Sequence, residues 1–144
     1  MPVVRTCEMI PAPPSIVWRH LVDTARYPEW NPLIRSFRGE LREGTDIAFQ
    51  IVLGTLQLPI KARVVRAGGN ELRWEGPAGS RWLSRIAHGS HYFRLTKCEG
   101  GTQLEHGEYF GGPAFELAWP AMNQRLHDGY SAFNRALRER ATGR

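Results

Sequence analysis

Residues 47–64 have the sequence IAFQIVLGTLQLPIKARV, and their apolar residues alternate with others in a pattern that indicates a β-sheet. From Ile47 to Leu53 a large apolar residue recurs at every second position, which is the period of a strand with one buried face. Gly54-Thr55 supplies a two-residue turn with glycine first, and the alternation resumes from Leu56 to Val64. The segment therefore predicts an antiparallel hairpin with one apolar face. Its expected cross-strand pairs are Leu53 with Leu56, Ile51 with Leu58 and Phe49 with Ile60.

Further strands are predicted on both sides of this hairpin. Residues 3–10 form a first strand, which prolines end, and residues 72–74 belong to a short strand that follows a glycine pair. A second hairpin is expected over residues 82–95 and 102–110, with its turn near residues 99–101. An even-length turn keeps the inward positions of both arms on one side of the sheet. These positions are His91, Phe93, Leu95, Leu104, His106, Glu108 and Phe110.

Helices complete the predicted set. Pro14-Ser15 can begin the first helix, because a proline in the first turn loses no hydrogen bond. The prolines of residues 27–32, which read YPEWNP, limit that segment to a turn or a single helical turn. A long C-terminal helix carries an apolar stripe at helical spacing and is expected to kink at Pro120. The stripe consists of Phe115, Trp119, Met122, Leu126, Tyr130, Phe133 and Leu137.

The order of these elements predicts an α+β fold in one domain over residues 1–144. A chain of 144 residues has the length of a single domain. The apolar face of the sheet and the apolar stripe of the C-terminal helix must bury each other. A strongly curved sheet then leaves concave space of the kind that ligands occupy.

Five motifs resemble those of a known protein family. In chain order they are Ala12-Pro13-Pro14 with Val17-Trp18, Tyr27–Pro32, Leu72-Arg73-Trp74, Gly89–Leu95 and His106–Gly112. Together they resemble the polyketide cyclase/dehydrase and lipid-transport family of the START/Bet v 1-like (SRPBCC) superfamily, over essentially the whole chain. The resemblance implies a helix-grip fold, in which a curved antiparallel sheet of about seven strands surrounds a long C-terminal helix, with a cavity between them. Members bind or transform many different hydrophobic molecules, so the resemblance implies no particular ligand.

Composition and charge narrow the classes of function. The apolar fraction of 42% and the charged fraction of 23% are those of an ordinary globular protein. The net charge of +5 and the pI of about 9.8 invite a polyanion partner. However, 17 of the 19 cationic residues are arginines spread singly along the chain, without a basic run or an RNA-stacking motif. A solvated basic surface is therefore expected, and nucleic acid is not an expected partner.

Other short signals also point away from specialised classes. Cys7 and Cys98 lie far apart and match no metal or disulfide spacing. The charge-free stretch over residues 47–60 is too short to span a bilayer, and the N-terminus lacks the apolar region of a signal peptide. We therefore expect a cytoplasmic protein without stable membrane insertion. No phosphate-binding glycine loop, nucleophile elbow or HExxH motif occurs, so no cofactor is predicted.

An imidazole and a carboxylate are expected to be neighbours on the apolar face of the second hairpin. If the turn is Glu99-Gly100, His91 lies opposite Glu108; if it is Gly100-Gly101, Phe93 does. Such a pair can perform acid–base chemistry, or it can be a buried, mutually satisfied pair that fixes the register of the sheet. No family pattern or short histidine spacing supports a metal site. The candidate catalytic residues are His91, His106 and Glu108.

The sequence favours binding of a small hydrophobic molecule, aromatic or lipid-like, in the internal cavity. The alternative is a cofactor-independent cyclase, aromatase or dehydratase that uses the same cavity. A third hypothesis, a basic module for a polyanionic or protein partner, rests on the pI alone. The oligomeric state stays open, as does the division of inward residues between cavity wall and core. The predicted ligand-binding residues are Phe49, Ile51, Leu58, Ile60, Trp74, His91, Phe93, His106, Glu108, Phe110, Met122, Leu126 and Tyr130.

Overall fold

The computed structural model describes residues 2–143. Its strands are β1 (Val3–Ile10), β2 (Ile34–Arg38), β3 (Asp46–Leu53), β4 (Leu56–Gly68), β5 (Glu71–Gly76), β6 (His88–Cys98) and β7 (Gly101–Gly111). Its helices are α1 (Pro14–Val22), a 3-10 helix (Thr24–Glu29), α2 (Arg81–Ile86) and α3 (Pro113–Thr142). The strands form one antiparallel seven-stranded sheet in the order β1-β7-β6-β5-β4-β3-β2. This curved sheet and its long C-terminal helix confirm the predicted α+β helix-grip fold.

The β3–β4 hairpin has the register that the alternating pattern predicts. Leu53 pairs with Leu56, Ile51 with Leu58, and Phe49 with Ile60. Phe49 and Ile51 are buried, whereas Ile60 is half-buried. The period-two pattern was therefore sufficient to fix the pairing of this hairpin and the face that it buries.

The β6–β7 hairpin decides between the two turns that the sequence allowed. Cys98 pairs with Gly101, which leaves Glu99-Gly100 as the turn. His91 consequently lies opposite Glu108, and Phe93 lies opposite His106. The imidazole and the carboxylate are direct cross-strand neighbours.

The prediction of a strand from residue 82 onward is wrong. Residues 81–86 form the helix α2, and β6 begins only at His88. The reason is a local cap: the Ser80 hydroxyl accepts a hydrogen bond from the backbone N–H of Leu83, which satisfies one of the free donors at a helix start. The strand β2 is not apparent from the sequence either, because an irregular register between Arg35 and Arg38 breaks its alternation.

The helix α3 lies against the sheet and packs along β1. The C-terminal residues of its predicted stripe are buried, namely Leu126, Tyr130, Phe133 and Leu137. The N-terminal residues of the stripe are half-buried, namely Phe115, Trp119 and Met122. Pro120 lies inside α3, and the kink expected there stays a prediction. Within residues 2–143 no helix is long and apolar enough to cross a membrane.

Trp30 packs against one corner of the core. Its ring contacts Tyr27 edge-on at 5.4 Å and Phe133 at 5.3 Å between centroids. Asn31 supports the same corner, because its side-chain oxygen accepts hydrogen bonds from the backbone N–H groups of Leu33 and Ile34. This corner is a structural element of the core and contributes no residue to the pocket described below.

Candidate ligand pocket and buried polar row

A pocket of about 290 Å³ opens between the sheet, α2 and the first turn of α3. Its wall is mostly apolar and includes residues of β3, β4, β5 and β6. Six of the predicted ligand-binding residues line it: Phe49, Ile51, Ile60, Trp74, His91 and Glu108. The residues that the sequence periodicity selected therefore share one wall of the pocket, although binding by these residues stays a prediction.

The other predicted residues do not line this pocket, and packing against α3 explains most of them. Phe93 and His106 are fully buried, and Leu126 and Tyr130 of α3 are buried as well. The Tyr130 ring stacks on His106. Phe110 packs against two aromatic rings of α3. The remaining two, Leu58 and Met122, are half-buried outside the pocket. Because α3 fills much of the concave face, the pocket occupies only the end near α2.

The sequence pattern did not indicate the pocket residues that α2 contributes. Leu83 and Ile86 of α2, with Ala87 after it, form one wall of the pocket. Phe115 at the start of α3 and the titratable side chains of Lys61 and His88 also line it. The Ser80 cap was the signal that could have revealed α2, because a serine before an apolar run is typical of a helix start.

The predicted imidazole–carboxylate pair lies at the wall of this pocket. The Nδ1 atom of His91 is 3.1 Å from Oε1 of Glu108. The hydroxyl of Tyr130 donates a short hydrogen bond to the same oxygen and lies 3.4 Å from His91 Nδ1. Burial and the neighbouring Glu108 raise the pKa of Tyr130 well above its ordinary value, so the hydroxyl keeps its proton.

A row of hydrogen bonds runs from this pair into the core, away from the pocket. His91 Nε2 lies 2.8 Å from Nε2 of His106, and His106 Nδ1 lies 2.8 Å from Oδ1 of Asn134. The Asn134 amide donates to Oγ1 of Thr6 at 2.7 Å, and the Thr6 hydroxyl donates to the carbonyl oxygen of His106 at 2.7 Å. Burial, followed by the proximity of His91, lowers the pKa of His106 well below 6.5. We call Thr6, Asn134, His106, His91 and Glu108 the polar row.

Aromatic rings hold the polar row in place. The Trp74 ring stacks on His91 at 5.0 Å between centroids, with 30° between the ring planes. The Tyr130 ring lies parallel to His106 at 4.5 Å. Trp74 also lines the pocket, so a single side chain supports His91 and forms part of the apolar wall.

Only one oxygen of Glu108 is occupied by these contacts. Oε1 takes both His91 and Tyr130, whereas no hydrogen bond from residues 2–143 reaches Oε2. The side chain of Glu108 is 16% exposed, and it lines the pocket. Oε2 is therefore the polar atom of the row that a molecule in the pocket can reach.

Comparison with known proteins identifies the family of the chain. Residues 1–142 match the family described as polyketide cyclase / dehydrase and lipid transport. The chain belongs to this family. No curated protein sequence matches this family member significantly.

Solved structures show the same fold at low sequence identity. A protein of Thermus thermophilus is 20% identical with a TM-score of 0.77, over 99% of this chain and 98% of that chain. The Zhui aromatase/cyclase of Streptomyces sp. R1128 is 16% identical with a TM-score of 0.77, over 98% of this chain and 93% of that one. Ara h 8.0201 is 14% identical with a TM-score of 0.73, over 99% of both chains. At these identities the likeness establishes the fold alone.

The polar row brings an imidazole and a carboxylate together in a geometry that acid–base chemistry can use. Within residues 2–143 no group of three or more His, Cys, Asp or Glu side chains is arranged to hold a metal ion. The two histidines point their Nε2 atoms at each other at 2.8 Å, so each occupies the other's free position. What the row can do is hold or release a proton at the pocket wall.

Proposed function

We propose that this protein binds a small, largely apolar molecule carrying one neutral polar group in the pocket beside α2. The observation that carries the proposal is the pairing of an apolar wall with one unoccupied carboxylate oxygen, Oε2 of Glu108. Ligand sites are commonly apolar cavities with few, well-placed polar groups. The apolar wall would hold the body of the molecule, and Glu108 would orient its polar group.

The size of the pocket supports a compact ligand. Its volume of about 290 Å³ is at the lower end of the range for small-molecule sites, which is roughly 300–1,000 Å³. One or two fused rings fit such a space, whereas a long lipid chain would extend beyond it. Of the two ligand types that the sequence suggested, the aromatic one is the better fit.

A second candidate function is a cofactor-independent enzyme of the cyclase, aromatase or dehydratase type. The observation that favours it is the 3.1 Å contact between His91 and Glu108 at the pocket wall. A carboxylate beside an imidazole can move a proton to or from a bound substrate. Replacing Glu108 by Gln tests the second function, because an enzyme would lose turnover of its substrate while still binding it. Near-unchanged affinity for the ligand would make Glu108 a bystander to binding.

The third hypothesis, a polyanion module, gains no support from the arrangement of charges. Several arginines lie in ion pairs with carboxylates, among them Arg63 with Asp46 and Arg138 with Glu8. These pairs reduce the charge available to a polyanion. The cytoplasmic location remains part of the proposal, and the free thiols of Cys7 and Cys98 are consistent with a reducing compartment.

The proposed site can be tested directly with a substitution that fills the pocket. Ala87 lines the pocket beside α2, and Ala87→Leu should occupy part of its volume. Isothermal titration with 2-naphthylmethanol should show binding to the original protein and at least a tenfold loss in the variant. The matched control is Ala67→Leu, because Ala67 is half-buried in β4 outside the pocket. Equal affinity of Ala87→Leu and the original protein would refute the proposed site.

A further inference from the structure

The donor and acceptor of every hydrogen bond in the polar row can be assigned by starting from Thr6, at the end of the row away from the pocket. A carbonyl oxygen only accepts, so the Thr6 hydroxyl donates its single proton to the carbonyl of His106. Thr6 Oγ1 must then accept from Asn134, which places the amide nitrogen of Asn134 toward Thr6. The amide oxygen of Asn134 consequently faces Nδ1 of His106 and accepts from it. His106 therefore carries a proton on Nδ1.

The proton positions on both histidines follow from that of His106 Nδ1. Burial keeps His106 neutral by lowering its pKa, and a neutral imidazole has only one N–H. Because that N–H is at Nδ1, Nε2 of His106 is an acceptor. His91 must donate to it from its own Nε2, across 2.8 Å. The Nε2 proton of His91 is thereby fixed, and Nδ1 is the atom that faces Glu108.

Three polar atoms then meet at the pocket wall, and the protons assigned so far are not enough to make a hydrogen bond at each of their contacts. They are Nδ1 of His91, Oε1 of Glu108 and the hydroxyl oxygen of Tyr130, all within 3.4 Å of one another. Tyr130 contributes one proton, and its short bond to Glu108 uses it. The contact of 3.1 Å between His91 and Glu108 would be two lone pairs face to face unless a second proton lies between them. The geometry requires that proton.

We infer that Thr6 and Asn134 are positioning residues which, through His106, keep one proton shared between His91 and Glu108. This end of the pocket is then neutral and selects neutral hydroxyl-bearing ligands over cations. The selectivity for neutral ligands rests on the proposed function, whereas the position of the shared proton does not. A neutral pair also avoids the desolvation cost of an unpaired carboxylate beside an apolar wall. The other titratable groups that face the pair or line the pocket are Tyr130, Lys61 and His88.

The reversed row shows why Thr6 matters. If Asn134 turned its amide over, His106 would donate from Nε2 to His91, and His91 would donate from Nδ1 to Glu108. All histidine contacts would then be satisfied without the shared proton, and Glu108 would be an anion. The hydroxyl of Thr6 opposes this reversal, because its proton is donated to the His106 carbonyl and its lone pair therefore faces Asn134. Thr6→Val removes that lone pair while keeping the shape of the side chain.

The test measures histidine tautomers by ¹⁵N NMR in the ligand-free protein. The original protein and Thr6→Ser should show the proton of His106 on Nδ1 and that of His91 on Nε2. Thr6→Val should show a mixture that includes the reversed tautomers. The control is Thr102→Val, because Thr102 is an equally buried threonine that donates to a backbone carbonyl outside the row; it should leave the tautomers unchanged. His106 protonated on Nε2 in the original protein would overturn the inference, and that result needs no variant to fold.

A second arm tests the ligand preference. The original protein should bind 2-naphthylmethanol more tightly than the cationic 2-naphthylmethylamine, and Thr6→Val should shift this ratio toward the amine by tenfold or more. An unchanged ratio together with unchanged tautomers would overturn the role of Thr6. If neither probe binds while the tautomers are as expected, the proposed function fails and the proton placement stands.

Discussion

The backbone of Gly89 lies directly against Oε2 of Glu108, so that any side chain at residue 89 would overlap the carboxylate. Glu108 pairs with His91, and Gly89 is the residue two positions before His91 on the inward side of β6. The unoccupied carboxylate oxygen can take this position because residue 89 on the neighbouring strand is a glycine and has no side chain. This relationship ties the pocket's polar atom to one glycine.

Replacing Gly89 by Ala should therefore displace the Glu108 carboxylate without disrupting the fold. The clash would be with the end of a flexible side chain rather than with backbone. We expect the affinity for 2-naphthylmethanol to fall about two- to tenfold, the equivalent of one hydrogen bond. Isothermal titration measures the affinity, and urea unfolding should show a loss of less than about 1 kcal/mol.

A double-mutant cycle provides the control for this prediction. In a Glu108→Ala background the added methyl group meets no carboxylate, so Gly89→Ala should have no further effect on binding. The same loss in both backgrounds would mean that Gly89 acts on the pocket by another route.

The buried part of α3 should contribute strongly to stability. Leu126→Ala and Phe133→Ala should each lower the free energy of unfolding by about 2–5 kcal/mol, because they leave cavities in the core. The matched control is Leu117→Ala on the same helix, where the side chain is 86% exposed, and it should change stability by less than about 0.5 kcal/mol. Losses below about 1 kcal/mol at both buried positions would show that the sheet does not grip this helix.

His106 should make the protein less stable as the pH falls below neutrality. Its pKa lies well below 6.5 in the folded protein, so the unfolded chain binds a proton that the folded one does not. The free energy of unfolding should therefore fall between about pH 7 and pH 5, by up to about 1.4 kcal/mol per pH unit from this residue. Urea unfolding at several pH values measures the slope.

His106→Gln should flatten that slope. Asp46 and Glu29, whose pKa values are lowered by arginine partners, lose their contribution only at more acidic pH. They therefore do not mimic the effect in this window. An unchanged slope in His106→Gln would show that the buried imidazole is not the source of the acid sensitivity.

Trp74 should matter for binding beyond its part in the core. It lines the pocket and stacks on His91, so Trp74→Ala should weaken 2-naphthylmethanol binding even under conditions where the variant is fully folded. Trp82→Ala is the control, since Trp82 is 68% exposed and does not line the pocket. Equal affinities of the two variants would remove Trp74 from the proposed site.

The sequence was sufficient for the sheet but only partly for the site. Residues 47–64 and 88–111 alternate at period two, and a strand pattern with one buried face fixes its own register. The inward set of β6 and β7 was therefore predicted, whereas the pairing of His91 with Glu108 was one of two registers that the sequence allowed.

What the sequence did not predict depends on packing between distant segments. Thr6 and Asn134 lie 128 positions apart and meet only because α3 packs along β1. The short helix α2 looked like the beginning of a strand, so its pocket residues Leu83 and Ile86 were missed. No local pattern records how far α3 fills the concave face, which is why residues such as Leu126 could not be divided between wall and core beforehand.

Isoleucine methyl NMR shows whether the space beside α2 is a ligand site. Ile51, Ile60 and Ile86 line the pocket, whereas Ile10, Ile34 and Ile47 are buried elsewhere in the same protein. Titration with 2-naphthylmethanol should shift the methyl resonances of the first three in a saturable way and leave the other three unchanged. Shifts confined to the second set, or no saturable shift in the first, would contradict the account.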